Sequence, residues 1–274
     1  MSTTGNDAST GVGAGFSSTA TDYEAAVRHN IAGGRRLVMS IPEGGYRRLL
    51  DVGCGTGWTS LAMVERFPTI THITGIDVAQ GMLDVFRTKA PDLPGVDLDL
   101  RVADVMDMGV AAGAFDVVVS SMAMHWFADK PGAATRMADA LAPGGTLAIL
   151  CSGTGGEGEF REVLATMRPT PPPEWDAAFD FVQRDVGDME DYLLNAGLEP
   201  LDIWMERRVR HSTVEAYLER VRVVAGHITA QLELSEDRIQ ELWEGLTARM
   251  NQVNGPRGFR YTFTKLYAVA RKPA

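Results

Sequence analysis

The chain has 274 residues, 45% of them hydrophobic, and a formal net charge of −10 from 26 Lys and Arg against 36 Asp and Glu. A surface that neutralises phosphates or anionic lipid needs the opposite sign, so neither a nucleic acid nor a membrane is expected as a partner. Two cysteines, Cys54 and Cys151, make neither a disulfide framework nor a Cys-x-x-Cys metal spacing, which points to a reducing, cytoplasmic setting and no metal.

Residues 1–20 are mostly Ser, Thr, Gly and Ala, with neither the basic start nor the apolar run of a signal peptide. Such a stretch buries too little surface to offset its ordering entropy and is expected to be a flexible tail. No run is apolar for the ~18 residues that a spanning helix needs. Residues 22–40 read as a helix interrupted at Gly33 and Gly34. Short apolar strands then alternate with helices: strand 47–53, helix 57–67, strand 72–77, helix 79–90, strand 96–104, strand 115–121, helix 132–141 stopped by Pro143-Gly144-Gly145, and strand 146–152. This alternation predicts an α/β fold with a doubly wound, mostly parallel sheet covered on both faces.

The pattern changes after Cys151. Residues 153–158 read as a loop, and Pro169 with Pro171-Pro172-Pro173 as a breaker. A helix over 185–197 and a strand over 198–210 follow. Ser212 and Glu215 form a capping-box pattern that opens a helix to about Ala230, with Val214, Leu218, Val221, Ala225 and Ile228 as its apolar stripe. Ser235 begins another helix ending near Met250, and 259–272 is a long final strand. Two helices between the last two strands have no place in a minimal doubly wound sheet, so residues of about 213–250 are expected to form a lid.

The strongest local signal is Leu49-Leu50-Asp51-Val52-Gly53-Cys54-Gly55-Thr56-Gly57, between a strand and a helix. Glycines there allow a tight turn and close backbone approach to a ligand at the helix N-terminus. Asp77, at the end of the second strand, suits a carboxylate that accepts from ribose hydroxyls; the plain alternative is a solvated loop acid. Asp104-Val105 after the third strand is placed to meet an adenine edge, or is an ordinary turn. A Gly-x-Gly-x-x-Gly dinucleotide pattern needs glycine at 58, where Trp58 stands, which disfavours a nicotinamide oxidoreductase.

With Gly75-Ile76-Asp77, Met82-Leu83, Ala103-Asp104, Phe115-Asp116-Val117-Val118 and Leu141-Ala142-Pro143-Gly144-Gly145 added, the sequence resembles the class I S-adenosylmethionine-dependent methyltransferases. The resemblance is specific over roughly 45–150 and architectural beyond 155. Its flavour is that of small-molecule enzymes such as trans-aconitate and malonyl-carrier carboxyl methyltransferases, which carry a helical cap. It implies a seven-stranded Rossmann-like sheet, divided into a tail (1–20), a cofactor-binding core (21–152) and the remaining sheet with its inserted lid (153–274). It also implies that Gly53, Cys54, Gly55 and Gly57 cradle S-adenosylmethionine. Asp77 and Val78 then hold its ribose and adenine side, Asp104 and Val105 read the adenine, and Ser120 lies under the amino group. Tyr23 would close over the site.

Methyl transfer from a sulfonium is an in-line displacement in which the protein chiefly supplies position and desolvation. Ser121-Met122-Ala123-Met124-His125-Trp126-Phe127 follows the fourth strand, where open α/β sheets bind ligands. His125 is therefore the candidate catalytic group, as a base or as a hydrogen-bond donor, with a packed structural histidine as the alternative. Met122 and Trp126 read as pocket walls, and His29 as a possible lining residue. His211 reads as a solvated loop residue. Arg207, Arg208 and Arg210 suit either an acidic substrate or, more simply, an exposed strand edge that discourages aggregation. The expected function is methylation of a small organic molecule, with O-methylation of an acid or hydroxyl favoured. Alternatives are a C- or N-methyltransferase and a binding module that holds the cofactor without turnover. The acceptor and the oligomeric state are left open.

Overall fold

The computed structural model describes residues 13, 15–17, 20, 28–167, 184–231 and 235–274. Seven strands form one sheet: β1 (Arg48–Val52), β2 (His72–Asp77), β3 (Asp97–Val102), β4 (Phe115–Ser121), β5 (Leu141–Ser152), β6 (Glu199–Ser212) and β7 (Phe259–Arg271). Their order is β3-β2-β1-β4-β5-β7-β6. The first five pair in parallel, and β7 runs antiparallel to β5 and β6. Strand order reverses between β1 and β4, and the crevice at their carboxyl ends is the switch point at which such sheets bind ligands.

The strands read as near-continuous apolar runs because both faces are covered. Leu49, Val117, Val119, Leu150 and Tyr267 pack under α1 (Arg28–Ser40), α2 (Trp58–Arg66) and α3 (Gln80–Thr88). Leu50, Val118, Ile149 and Leu266 pack on the other face under α4 (Lys130–Ala140) and α6 (Val186–Asn195). Asp129 caps α4 through the Gly132 N–H, and Asp185 and Asp188 form a reciprocal capping box on α6.

A separate apolar cluster joins α5 (Gly158–Thr166), α7 (Val214–Gln231) and α8 (Glu236–Val253). Phe160, Val163 and Leu164 meet Val214, Tyr217, Leu218 and Val221, and both sets meet Leu242, Trp243, Leu246 and Met250. The carboxyl ends of β5 and β6 and the start of β7 lie at one end of the sheet. These three helices therefore gather at the end that carries the glycine turn.

The structure corrects several expectations. A helix over 158–166 follows the expected loop, in a stretch for which no element was expected; Phe160, Val163, Leu164 and Met167 carry its apolar spacing. Helix α1 runs through Gly33 and Gly34 without a break. Strand β5 begins at Leu141, because pairing with β4 starts before the Pro-Gly-Gly segment and shifts register between Phe115 and Val117. His211 is not in a loop: it pairs with Arg260 at the end of β6. The tail is not wholly without structure, since residues 13, 15–17 and 20 are helical and Ala20 packs on Ala79 and Met82. Tyr23 and the proline breaker at 169–173 lie outside the described residues, as do the side chains of Ala225 and Ile228.

Candidate active site

The turn after β1 folds back onto the end of β2: the Gly53 and Cys54 N–H groups donate to the Ile76 carbonyl at 2.8 and 3.0 Å. Gly53 has φ +68°, and a β-carbon there would lie 2.3 Å from Ala123 Cβ, so glycine lets the turn touch the segment after β4. Gly55, at φ +52°, faces the opposite situation: a β-carbon on it would meet nothing within 4 Å. The turn therefore presents backbone to open space at the start of α2.

Two carboxylates lie beside this turn. Asp77 accepts the Gly55 N–H on Oδ2 at 2.8 Å and the Ala79 N–H on Oδ1 at 2.9 Å. Burial nevertheless raises its pKa above the usual carboxylate range. Asp51 is fully buried in β1 and accepts the Ser60 hydroxyl on Oδ2 at 2.7 Å, while its Oδ1 has no hydrogen-bond partner among the described residues. Burial is the main cause that pushes the Asp51 carboxyl up to about 7, and the Asp77 charge adds to it. Burial and then the charges of both acids raise the Cys54 thiol well above its ordinary value, so Cys54 is an inert packing residue. Two crowded carboxylates, one of them with an unpartnered oxygen, suit a cationic, hydroxyl-bearing ligand and repel a pyrophosphate. The residues present thus fit S-adenosylmethionine. Asp51 was part of the sequence motif but received no role; an acid inside an apolar strand run was the available signal.

Beyond β3, Asp104 Oδ1 accepts the Met106 N–H at 2.8 Å and caps the short turn Val105–Asp107, while Val105 is buried. The Ala103 N–H donates to the Asp77 carbonyl at 3.1 Å, which ties this turn to the end of β2. Val78, next in the chain, approaches Gly13 so closely that a β-carbon there would lie 2.5 Å from the Val78 carbonyl oxygen. Ser120, near the end of β4, is fully buried, and its hydroxyl has no partner among the described residues. The expected cofactor residues are therefore brought together along the carboxyl ends of β1 to β4.

The chain leaves β4 through Met122, a non-glycine residue at φ 58°, held by its N–H to the Leu150 carbonyl at 2.6 Å. That left-handed conformation costs roughly 1–2 kcal/mol and redirects the chain into the short turn Met124–Trp126. His125 is only 8% exposed, and the Ser152 N–H points at its Nδ1 from 3.5 Å. Burial first, and the Lys130 charge second, lower its pKa to about 3. At neutral pH the imidazole is uncharged and a poor proton acceptor, which weakens the base role considered for it. The Trp126 ring lies 5.3 Å from the His125 ring and packs edge-to-face on Phe16 at 5.4 Å. The Gly81 N–H also donates to Ser17 Oγ at 3.1 Å, so the N-terminal segment reaches from α3 to Trp126. His29 lies in the first turn of α1; its side chain is outside the described residues.

The cap is tied down differently. Glu157, at φ 56°, accepts the Tyr217 hydroxyl at 2.6 Å and Arg220 Nη2 at 2.8 Å. Arg220 also lies over the Tyr217 and Tyr261 rings at 4.8 and 5.2 Å. Glu159 holds Arg260 and accepts from both the backbone and the hydroxyl of Thr262. Arg207, Arg208 and Arg210 are exposed on β6, the edge strand of the sheet. Among the described residues, no three His, Cys, Asp or Glu side chains group as a metal-ligand set. No helix of the described residues is long and apolar enough to cross a membrane.

A methyltransferase domain family matches residues 50–149. The malonyl-[acyl-carrier protein] O-methyltransferase of Geobacter sulfurreducens is 30% identical over 270 residues, covering 94% of this chain and 96% of that protein. The trans-aconitate 2-methyltransferase of Deinococcus radiodurans is 33% identical over 132 residues, or 48% of each chain. Among solved structures, a candidate methyltransferase from Bacillus halodurans superposes with a TM-score of 0.62 at 17% identity, over 89% of this chain and all of that one. The glycine turn, the paired acids and the full-length similarity have one reading: the chain belongs to the class I S-adenosylmethionine-dependent methyltransferases.

Proposed function

We propose that this enzyme methylates a carboxylate oxygen of a small organic acid or acyl thioester. The observation that carries this reading is the state of His125. His125, in the turn that follows β4, is buried and neutral, with a pKa of about 3, so it is not a base matched to a hydroxyl or ammonium acceptor at neutral pH. An ionised carboxylate is already a nucleophile at pH 7 and needs none. Two relatives are named for acid substrates, which agrees.

S-Adenosylmethionine supplies an electrophilic methyl group on a sulfonium. In this reading Gly53, Cys54, Gly55 and Gly57 offer backbone to it. Asp77 accepts from ribose hydroxyls with Val78 alongside. Asp104 and Val105 meet the adenine. Asp51 and the Ser120 region face the amino-acid end. Met122 and Trp126 wall the acceptor side, and His125 braces that wall through Ser152. Tyr23 and His29 are assigned to the substrate from the sequence resemblance and position alone, and no metal takes part. The helices of residues 213–250 act as a lid that excludes water and shapes the acceptor pocket. Both cysteines are buried and unpaired, in keeping with a cytoplasmic setting.

The test is incubation of the purified protein with S-adenosylmethionine and a panel of organic acids, malonyl thioesters, phenols and amines. Mass spectrometry then locates the methyl group. Methyl esters are expected. Methylation of a hydroxyl, amine or carbon overturns the acid reading. Cofactor binding without any product across the panel points to a binding module.

A further inference from the structure

An edge strand presents a row of unpaired N–H and C=O groups, which proteins blunt with shortness, proline, a bulge or charge. Strand β6 (Glu199–Ser212) ends the sheet and pairs with β7 alone. Its proline and its bulge lie at one end, where pairing with β7 shifts register between Pro200 and Asp202. From there, residues 202–212 pair with β7 without interruption. Among the described residues, no backbone hydrogen bond is made to the outer side of this run. Its side chains are open as well: Met205 is 37% and Val209 50% exposed, and Leu201, at the bulge, 45%. Arg207, Arg208 and Arg210 are exposed beside them.

The order of residues along this edge is self-complementary. Faces alternate along the strand: Trp204 packs with the α1 cluster and Glu206 takes Arg36 of α1, whereas Ile203 packs with the α6 cluster. A second β6, laid antiparallel about a two-fold axis normal to the sheet, keeps every residue on its own face. The axis must then pass through a residue position and not between two. An axis at Met205 sets Met205 against Met205 of the second copy, Trp204 against Glu206, Ile203 against Arg207 and Asp202 against Arg208. Val209 then reaches the exposed Leu201 at the bulge. Asp202 is exposed and has no ion pair among the described residues. Arg208 has only Glu206, at 3.7 Å, and that carboxylate already takes Arg36 at 2.6 Å. Asp202 and Arg208 share the α1 face, so the two opposite charges meet on one side, and symmetry makes the pair twice.

The neighbouring registers fail on charge. An axis at 204 sets Asp202 against Glu206, one at 206 sets Glu206 against itself, and one at 207 sets Arg207 against itself. Like charges directly opposite one another are destabilising. The arginines that guard this edge against indiscriminate pairing therefore leave one register open.

We propose that the chain forms a two-fold symmetric dimer through β6, joining two sheets into one with Met205 on the axis. The glycine turn follows β1, four strands from the junction, so each protomer keeps its own site.

Sedimentation velocity of the full chain in low salt tests this. A strand junction is smaller than a standard interface, so a reversible dimer is expected to form between about 1 and 100 μM. Salt at about 0.5 M should weaken it by screening the two Asp202–Arg208 pairs. Asp202→Arg and Arg208→Asp are each expected to weaken dimerisation tenfold or more. The double variant exchanges the two charges and is expected to return to within about threefold of wild type. Both side chains are exposed, so the fold is kept. Cysteine substitution reads the register. Met205→Cys should form a disulfide-linked dimer under mild oxidation, because directly opposite α-carbons lie about 4.5–5.5 Å apart. Arg207→Cys should not, because the two copies of that position lie about 13 Å apart along the strands. Cys54 and Cys151 are buried and do not compete. A monomer throughout the concentration range overturns the proposal. So does a double variant no better than the single ones, or linkage of Arg207→Cys as ready as that of Met205→Cys.

Discussion

The turn after β1 and the helical cap differ in how their acids are partnered. Around the turn, valences are left unmet: Asp51 Oδ1 and the Ser120 hydroxyl are buried without partners among the described residues, and the Asp51 and Asp77 carboxyls are both pushed up by burial. In the cap, Glu157 is answered by Tyr217 and Arg220, and Glu159 by Arg260 and Thr262. Buried polar groups without partners are costly, so they persist where a ligand completes them. Satisfied pairs instead fasten one element to another. On the proposed reading the first region binds the cofactor and the second holds the cap in place. The domain family matches 50–149, short of the cap, whereas the similarity to the Geobacter sulfurreducens protein runs through both regions.

The sharpest way to break this contrast is in the cap core. Leu246 is fully buried between α5 and α7, and Leu246→Ala is expected to cost about 2–5 kcal/mol. Denaturant unfolding should show that loss, turnover should fall, and S-adenosylhomocysteine affinity at low temperature should change by no more than about twofold. A large loss of cofactor affinity would show that the two regions are not separate.

Asp77→Ala is the reciprocal change. It is expected to weaken S-adenosylhomocysteine more than about tenfold, or ~1.4 kcal/mol, and to spare the cap. Unchanged affinity by calorimetry removes the ribose assignment.

His125 separates a brace from a base. Its folded-state pKa of about 3 lies below the ordinary 6.5, so its contribution to stability is complete above pH 6.5 and is lost as pH falls toward 3. His125→Ala should flatten that acid limb and lower turnover with cofactor binding intact. The kcat–pH profile should show no wild-type inflection near 6.5. An inflection there that vanishes in the variant restores the base role.

The smallest effect belongs to Asp51, whose shift has the opposite sign. Its folded-state pKa of about 7 is above the ordinary 3.8, so its contribution is present at low pH and lost as pH rises through about 7. Asp51→Asn should reduce the drop in unfolding midpoint between pH 5 and pH 8 and weaken S-adenosylhomocysteine a few-fold. An unaltered pH dependence places the titration elsewhere.

Much of this was legible in the residues. The first five strands in chain order, the Ser235 cap and the glycine turn follow from short-range periodicity and turn chemistry. The cap expected at Ser212 instead falls on Thr213, whose Oγ1 accepts the Ala216 N–H, because pairing with β7 keeps Ser212 in β6. Other features were not. The helix 158–166 was hidden because it is short and opens at a glycine-rich loop, with only Phe160, Val163 and Leu164 to mark its face. The packing of Phe16 on Trp126 joins a segment that looks too polar to order to a distant turn. The strain at Met122 comes from its tie to Leu150 on another strand, which no local preference foretells.

By itself, the sequence determined the class of fold, the cofactor turn and the acid at the end of β2, because each is encoded by neighbours within a few residues. Only the tertiary structure decided what the titratable side chains can do. His125 is kept neutral by burial in the core and, second, by the Lys130 charge. Gly33 and Gly34 became an approach for Lys265 and Ser121 instead of a helix break. Burial and charge at a side chain depend on which distant strands lie beside it, and pairing across β5, β7 and β6 is a property of the folded sheet.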